Sequence, residues 1–164
     1  MARRVFFTFH YQRDIMRVNV IRNHWLTKPD AQSAGYWDHS LWEKTKKQGG
    51  DDAIKKMIDE GLTGTSVTAI LIGQETAGRK WVDYEITRSV ERSNGIVGIY
   101  IHKIKNVDGS TDRQGRNPLD DWTLKQNGQN VLLSLMYTTY EWIANNGYGN
   151  FADWVEKAAK QAGR

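Results

Sequence analysis

The sequence predicts an α/β domain, a three-layer sandwich with helices on both faces of a central, mainly parallel sheet. Two observations carry this. Residues 67–72 (Val-Thr-Ala-Ile-Leu-Ile) and 96–101 (Ile-Val-Gly-Ile-Tyr-Ile) are almost continuously apolar rather than alternating, which marks strands covered on both faces. Between such runs, apolar residues recur at helical spacing, so the chain changes period as strand–helix–strand units require.

The elements follow in order. Val-Phe-Phe-Thr-Phe at residues 5–9 makes a compact aromatic strand. Ile15, Val18, Ile21 and Trp25 then form one helical stripe, which Pro29 stops. Residues 35–42 read as a short strand, a loop or both. Asp51 and Asp52 place negative charge in a helical first turn, Ile54, Met57 and Ile58 supply its stripe, and Gly61 is its expected C-cap. After the strand at 66–72 comes a helix at 81–92 with Val82, Ile86, Ser89 and Val90 facing the core, then the strand at 96–101. Residues 103–130, rich in Gly, Asn, Asp and Lys, read as a long excursion rather than a second domain. Residues 131–136 are the expected last strand, and Thr138 and Glu141 resemble a capping box. Trp154, Val155, Ala158, Ala159 and Ala162 give a terminal amphipathic helix. We expect residues 1–164 to form one domain, a length that buries a core without staples.

Composition removes several function classes. With no cysteine, disulfides, thiolate catalysis and zinc–thiolate sites are out. No run approaches the roughly 18 apolar residues of a membrane span. Arg3 and Arg4 lead straight into a strand without the apolar core of a signal peptide, so a cytoplasmic location is expected. The net charge of +4 is dispersed: Lys44, Lys46, Lys47, Lys55 and Lys56 alternate with Glu43, Asp51, Asp52, Asp59 and Glu60, as on a solvated helical surface. A nucleic-acid partner is therefore not expected. There is no G-x-G-x-x-G, no P-loop and no G-x-S-x-G. The four histidines, at 10, 24, 39 and 102, lack metal-ligand spacing, so no metal is expected.

Ligands of open parallel sheets bind outside the carboxyl ends of the strands. Phe9, His10 and Tyr11 close the first strand, and Gly73-Gln74-Glu75-Thr76 follows the strand at 66–72. Just beyond lies Trp81-Val82-Asp83-Tyr84-Glu85, whose Trp81 and Glu85 share a helix face one turn apart. An aromatic plate beside one carboxylate suits a site that stacks a flat ring and stabilises positive charge on the attached sugar. The plainer reading makes Trp81 core and Glu85 a solvated helix residue.

Residues 5–11, Val-Phe-Phe-Thr-Phe-His-Tyr, resemble the first box of TIR domains. Residues 65–73 followed by 79–86, Arg-Lys-Trp-Val-Asp-Tyr-Glu-Ile, look like the region holding that family's catalytic glutamate. The branch most similar is that of the TIR-like proteins of bacterial Thoeris antiphage systems, and the resemblance covers about residues 4–102. It implies a flavodoxin-like, TIR-type fold and cleavage of the nicotinamide–ribose bond of NAD, the ADP-ribosyl part being hydrolysed, cyclised or transferred. NAD is then substrate and no cofactor is needed. The resemblance also implies self-association in the active state and a separate effector that reads the product. Glu85 becomes the catalytic residue, with Trp81 stacking on a base or packing beneath it.

Further substrate-binding candidates are Phe9, His10 and Tyr11 at the strand end. Arg17, one turn beyond Arg13, could meet a phosphate or lie solvated on its helix. Asp38 and Trp42 fall in the segment that forms a mobile loop near the site in TIR domains, where three aromatics need burial in a pocket or against another protomer. Asp83 and Tyr84 face away from Glu85 and are expected to be structural or surface residues. Two other classes stay open: a TIR-like interaction module without catalysis, and a flavodoxin-like nucleotide sensor.

Overall fold

The computed structural model describes residues 3–37 and 39–164. The elements are β1 (Arg4–Thr8), α1 (Tyr11–Leu26), β2 (Gln32–Ala34), α2 (His39–Leu62), β3 (Val67–Ile72), α3 (Lys80–Glu91) and β4 (Gly95–Tyr100). A 3-10 turn (Pro118–Asp121), β5 (Thr123–Gln126), β6 (Gln129–Leu132), α4 (Leu133–Met136), β7 (Thr139–Glu141) and α5 (Gly147–Gln161) complete the chain. The main sheet has the order β2-β1-β3-β4-β7, and every pairing in it is parallel. With helices on both faces this is the flavodoxin-like α/β architecture.

The period-2 geometry of a strand divides each apolar run between two cores. Val67, Ala69 and Leu71 join Val5, Phe7, Val97 and Ile99 beneath α1 and α5, where Val18, Ile21, Trp25, Phe151 and Val155 meet them. Ile70 and Ile72 turn the other way, against Val82 and Ile86 of α3. Phe6 faces Ile54, Ile58 and Leu62 of α2. All six residues of β3 are buried, which is why its sequence does not alternate.

Several boundaries differ from the sequence reading. α2 begins at His39, well before Asp51, but Gly50 has non-helical torsions (φ 62°, ψ −149°) and divides it. Asp51 and Asp52 thus open the second helical piece, where their charge suits the dipole. Gly61 is not the cap. It lies inside α2, where a Cβ would come within 2.9 Å of the Trp37 ring, and the left-handed residue after the helix is Gly64 (φ 79°). Residues 131–136 are not the last strand of the sheet. Val131 and Leu132 belong to an exposed antiparallel hairpin turned by Asn127 and Gly128, both left-handed, and residues 133–136 form one helical turn. The fifth sheet strand is β7, so Thr138 and Glu141 form no capping box. β7 pairs with Gly98–Tyr100, and a Cβ on Gly98 would stand 2.7 Å from Thr139 Oγ1.

Candidate active site

The strand order reverses between β1 and β3: β2 lies on one side of β1 and β3 on the other. Such a switch point opens a crevice at the carboxyl ends of the two strands. Here the crevice is a cleft of about 380 Å³, within the range of small-molecule sites. Its lining comes from the end of β1 (Phe9, His10), the start of α1 (Tyr11, Gln12), the segment after β2 (Gly35, Trp37), the first turns of α2 (Trp42, Glu43, Lys46) and the start of α3 (Arg79, Lys80, Trp81, Val82, Glu85).

Glu85 is 7% exposed. Its position on α3 follows from the helical repeat, since Val82, Ile86 and Ser89 must face the sheet and Glu85 shares their side. Burial pushes its pKa well above the usual carboxylate range, and the hydroxyl of Thr8, buried at the end of β1, pulls it partly back. Two aromatic groups contribute to the same cleft as the carboxyl. Trp37 packs tilted on Trp42 and Trp42 edge to face on Trp81, with ring centroids 5.9 and 6.1 Å apart, anchored to the core by Phe6 against Trp37. In the other group Phe9 meets both Tyr11 and Tyr36. Gly35 lets the backbone pass between these groups: it has φ 80°, and a Cβ would stand 2.4 Å from the Phe7 carbonyl oxygen.

His10 is the N-cap of α1, its Nδ1 accepting the Arg13 backbone N–H at 3.3 Å. Burial, then the charge of Arg79, lowers its pKa, so the ring is neutral near neutral pH. Arg79 caps α3 without a side-chain hydrogen bond to the helix, and Lys80 pairs with Asp51 while lying 4.9 Å from the centroid of Trp81. The lining therefore carries the cations Lys46, Arg79 and Lys80, with Glu43 and the buried Glu85 its acids among the described residues.

Of the residues singled out from sequence, Phe9, His10, Tyr11, Trp42, Trp81 and Glu85 converge on this cleft. Asp38 lies outside the described residues. Arg17 is not brought to the cleft, and it is not solvated either. It is 1% exposed and donates to Ile104 O at 2.6 Å and to Asp112 at 2.7 Å. An arginine one turn inside α1, on the Asp14–Val18–Ile21 face, points under the chain leaving β4 rather than toward the strand ends. Asp83 and Tyr84 are structural: Asp83 accepts the Trp122 indole N–H at 3.3 Å, and the Tyr84 hydroxyl meets Asp59. Sequence reasoning missed Gln12, Trp37, Glu43, Lys46, Arg79 and Lys80. Arg79 and Lys80 had a signal, since they directly precede Trp81 at a helix start. Among the described residues no three carboxylate or imidazole groups are clustered to hold a metal, and no helix is long and apolar enough to cross a membrane.

Residues 6–106 match the family described as Thoeris protein ThsB, TIR-like domain. A relative from Bacillus cereus (strain MSX-D12), named "Putative cyclic ADP-D-ribose synthase ThsB1", is 41% identical over 192 aligned residues, covering 94% of this chain and 100% of the relative.

Proposed function

The chain belongs to the Thoeris ThsB family of TIR-like proteins, and from that premise we propose that it cleaves the nicotinamide–ribose bond of NAD and closes the ADP-ribosyl part into a cyclic signal for antiphage defence. The observation that carries the reading is Glu85, a buried carboxyl in an aromatic-lined cleft at the switch point of the sheet.

The chemistry follows from charge. When the glycosidic C–N bond breaks, its electron pair goes to the pyridinium nitrogen, so nicotinamide leaves neutral and needs no general acid. Positive charge appears on the ribose as an oxocarbenium-like state. The Glu85 carboxylate stabilises that charge, an interaction that burial makes strong. Burial alone favours the neutral acid. A pyridinium cation beside it reverses the preference, so substrate binding and Glu85 ionisation are coupled, and oxidised dinucleotide is favoured over the uncharged reduced form. Once nicotinamide has left, the proton affinity of Glu85 rises again. An attacking hydroxyl of the same ADP-ribose then loses its proton to Glu85 as the ring closes. The aromatic walls limit access of water, which would otherwise give linear ADP-ribose.

NAD is substrate in this scheme and no resident cofactor is called for. The protein acts in the cytoplasm, self-associates when active, and hands its product to a separate effector; no nucleic acid or membrane takes part. Incubation with NAD, resolved by chromatography and mass spectrometry, tests the reading. Nicotinamide should appear with a product lighter than linear ADP-ribose by one water. NAD that binds to the assembled protein and stays intact would overturn it.

A further inference from the structure

A neutral imidazole has one acceptor nitrogen and one donor. In His10 the acceptor is committed, because Nδ1 takes the Arg13 backbone N–H at the start of α1. The proton is therefore on Nε2, the polar atom left to the cleft that His10 lines. His10 is a hydrogen-bond donor there and cannot serve as a general base through that atom.

Arg79 is its charged neighbour across the mouth. Its Nε donates to Glu75 O at 3.2 Å, but its charged contact with the Glu75 carboxylate is long, 3.8 Å, and the side chain is 49% exposed. Glu75 is held more closely by Arg13, at 2.7 Å. Arg79 and Lys80 also put two cations at the positive end of a helix whose first turn holds one acid, Asp83. Asp51 already answers Lys80, so Arg79, with its long carboxylate contact, is the cation at this positive helix end left to meet an anion. Lys46 adds a third cation to the rim.

Resting on the NAD reading above, we propose that Arg79 and the Nε2–H of His10 bind the diphosphate of the dinucleotide and so set its nicotinamide ribose against Glu85. Arg79 and Glu85 are six residues apart on or next to α3, about 9 Å along the axis. A ribose and its 5′-phosphate bridge that span. Arginine supplies charge and a planar fork suited to phosphate oxygens, while the neutral histidine adds direction without a further cation to desolvate.

Two substitutions separate the roles of His10. Asparagine is a favoured N-cap, so His10→Asn keeps the helix start but withdraws the distal donor. Glutamine reaches as far as Nε2, so His10→Gln keeps that donor. The fluorescence of Trp37, Trp42 and Trp81 reports equilibrium binding of ADP-ribose, and of adenosine as the phosphate-free control. Arg79→Gln should weaken ADP-ribose about tenfold, His10→Asn severalfold and His10→Gln little, with adenosine unchanged in all three. In wild-type protein, ¹⁵N chemical shifts should show His10 protonated on Nε2. A proton on Nδ1, equal losses for adenosine and ADP-ribose, or His10→Gln falling as far as His10→Asn would each overturn the proposal. NAD cleavage with undiminished ADP-ribose affinity in Arg79→Gln would defeat this inference and leave the cleavage reading standing. Phosphate-dependent ADP-ribose binding without NAD cleavage would do the reverse.

Discussion

Asp14 and Arg17 lie one turn apart on α1, each 1% exposed, yet their charged atoms stand 4.0 Å apart. Arg17 directs its short contacts elsewhere, to Ile104 O, Ser110 O and Asp112. Both Asp14 oxygens are left without a hydrogen bond among the described residues. They pack against Gly73 so closely that a Cβ there would fall 2.1 Å from Oδ2. One helix thus supplies a buried cation that fastens the chain after β4 and a buried acid that is poorly compensated.

Replacing Arg17 tests the first half of that relationship. Arg17→Met keeps much of the side-chain volume but leaves Ile104 O without its donor and Asp112 and Asp14 without their nearest cation. Breaking a buried pair from one side costs about 3–5 kcal/mol, which should lower Tm by roughly 10 °C in a chain of this size. Where the variant stays folded, ADP-ribose affinity should persist, because Arg17 is remote from the cleft lining. A thermal melt within about 2 °C of wild type would remove Arg17 as a fastening.

Asp14 governs a pH response. Burial raises its pKa from 3.8 to about 6, opposed chiefly by Arg17 and Arg13 and assisted by Asp112 and Glu75. The folded state then holds the proton more tightly than the unfolded one. This contribution to stability is complete below the unfolded pKa and is lost as pH rises from about 4 through about 6. The full swing is on the order of 3 kcal/mol. Asp14→Asn should flatten that part of the stability curve, as followed by urea unfolding between pH 4 and pH 7. A variant with the wild-type slope would show that Asp14 does not titrate there.

The fold was legible because runs such as Val67–Ile72 need cover on both faces and the stripes between them have helical period. The later part of the chain was less so. Residues 131–136 are apolar enough for a central strand, yet the Asn127-Gly128 turn ties the first two of them into a local hairpin, and the three-residue β7 is too short to carry a pattern. In the site, positions near a strand end or sharing a helix face with Glu85 were readable. Arg17 was misread because its partners, Ile104 and Asp112, are 87 and 95 residues away. Lys46 and Glu43 were invisible as lining because only the pairing of β2 beside β1 brings α2 over the cleft.

Gly35 links backbone to site. It has φ 80°, and a Cβ added there would stand only 2.4 Å from Phe7 O, so Gly35→Ala must strain the turn or shift β2 from β1. We expect a loss of about 1–3 kcal/mol together with weaker ADP-ribose binding, since Trp37 follows two residues later. Chemical denaturation and tryptophan fluorescence read the two effects. Unchanged stability would mean the turn relaxes without cost.

Glu85→Gln separates stability from chemistry. The folded pKa of Glu85 is raised, so its contribution to stability is complete below the unfolded pKa and is lost as pH climbs through the folded value. A neutral glutamine escapes that loss, and the variant should be at least as stable as wild type at pH 8, with the gap narrowing toward pH 4. Turnover should fall by on the order of 10²-fold or more, several kcal/mol of transition-state stabilisation. Asp83→Asn is the control, because it keeps an oxygen to accept the Trp122 indole N–H and should cost little. In wild type, kcat/KM should rise with pH through the raised Glu85 pKa, reporting the free enzyme. Glu85→Gln protein that is destabilised at pH 8 would mark the carboxyl as structural, and near-wild-type turnover would remove it from the chemistry.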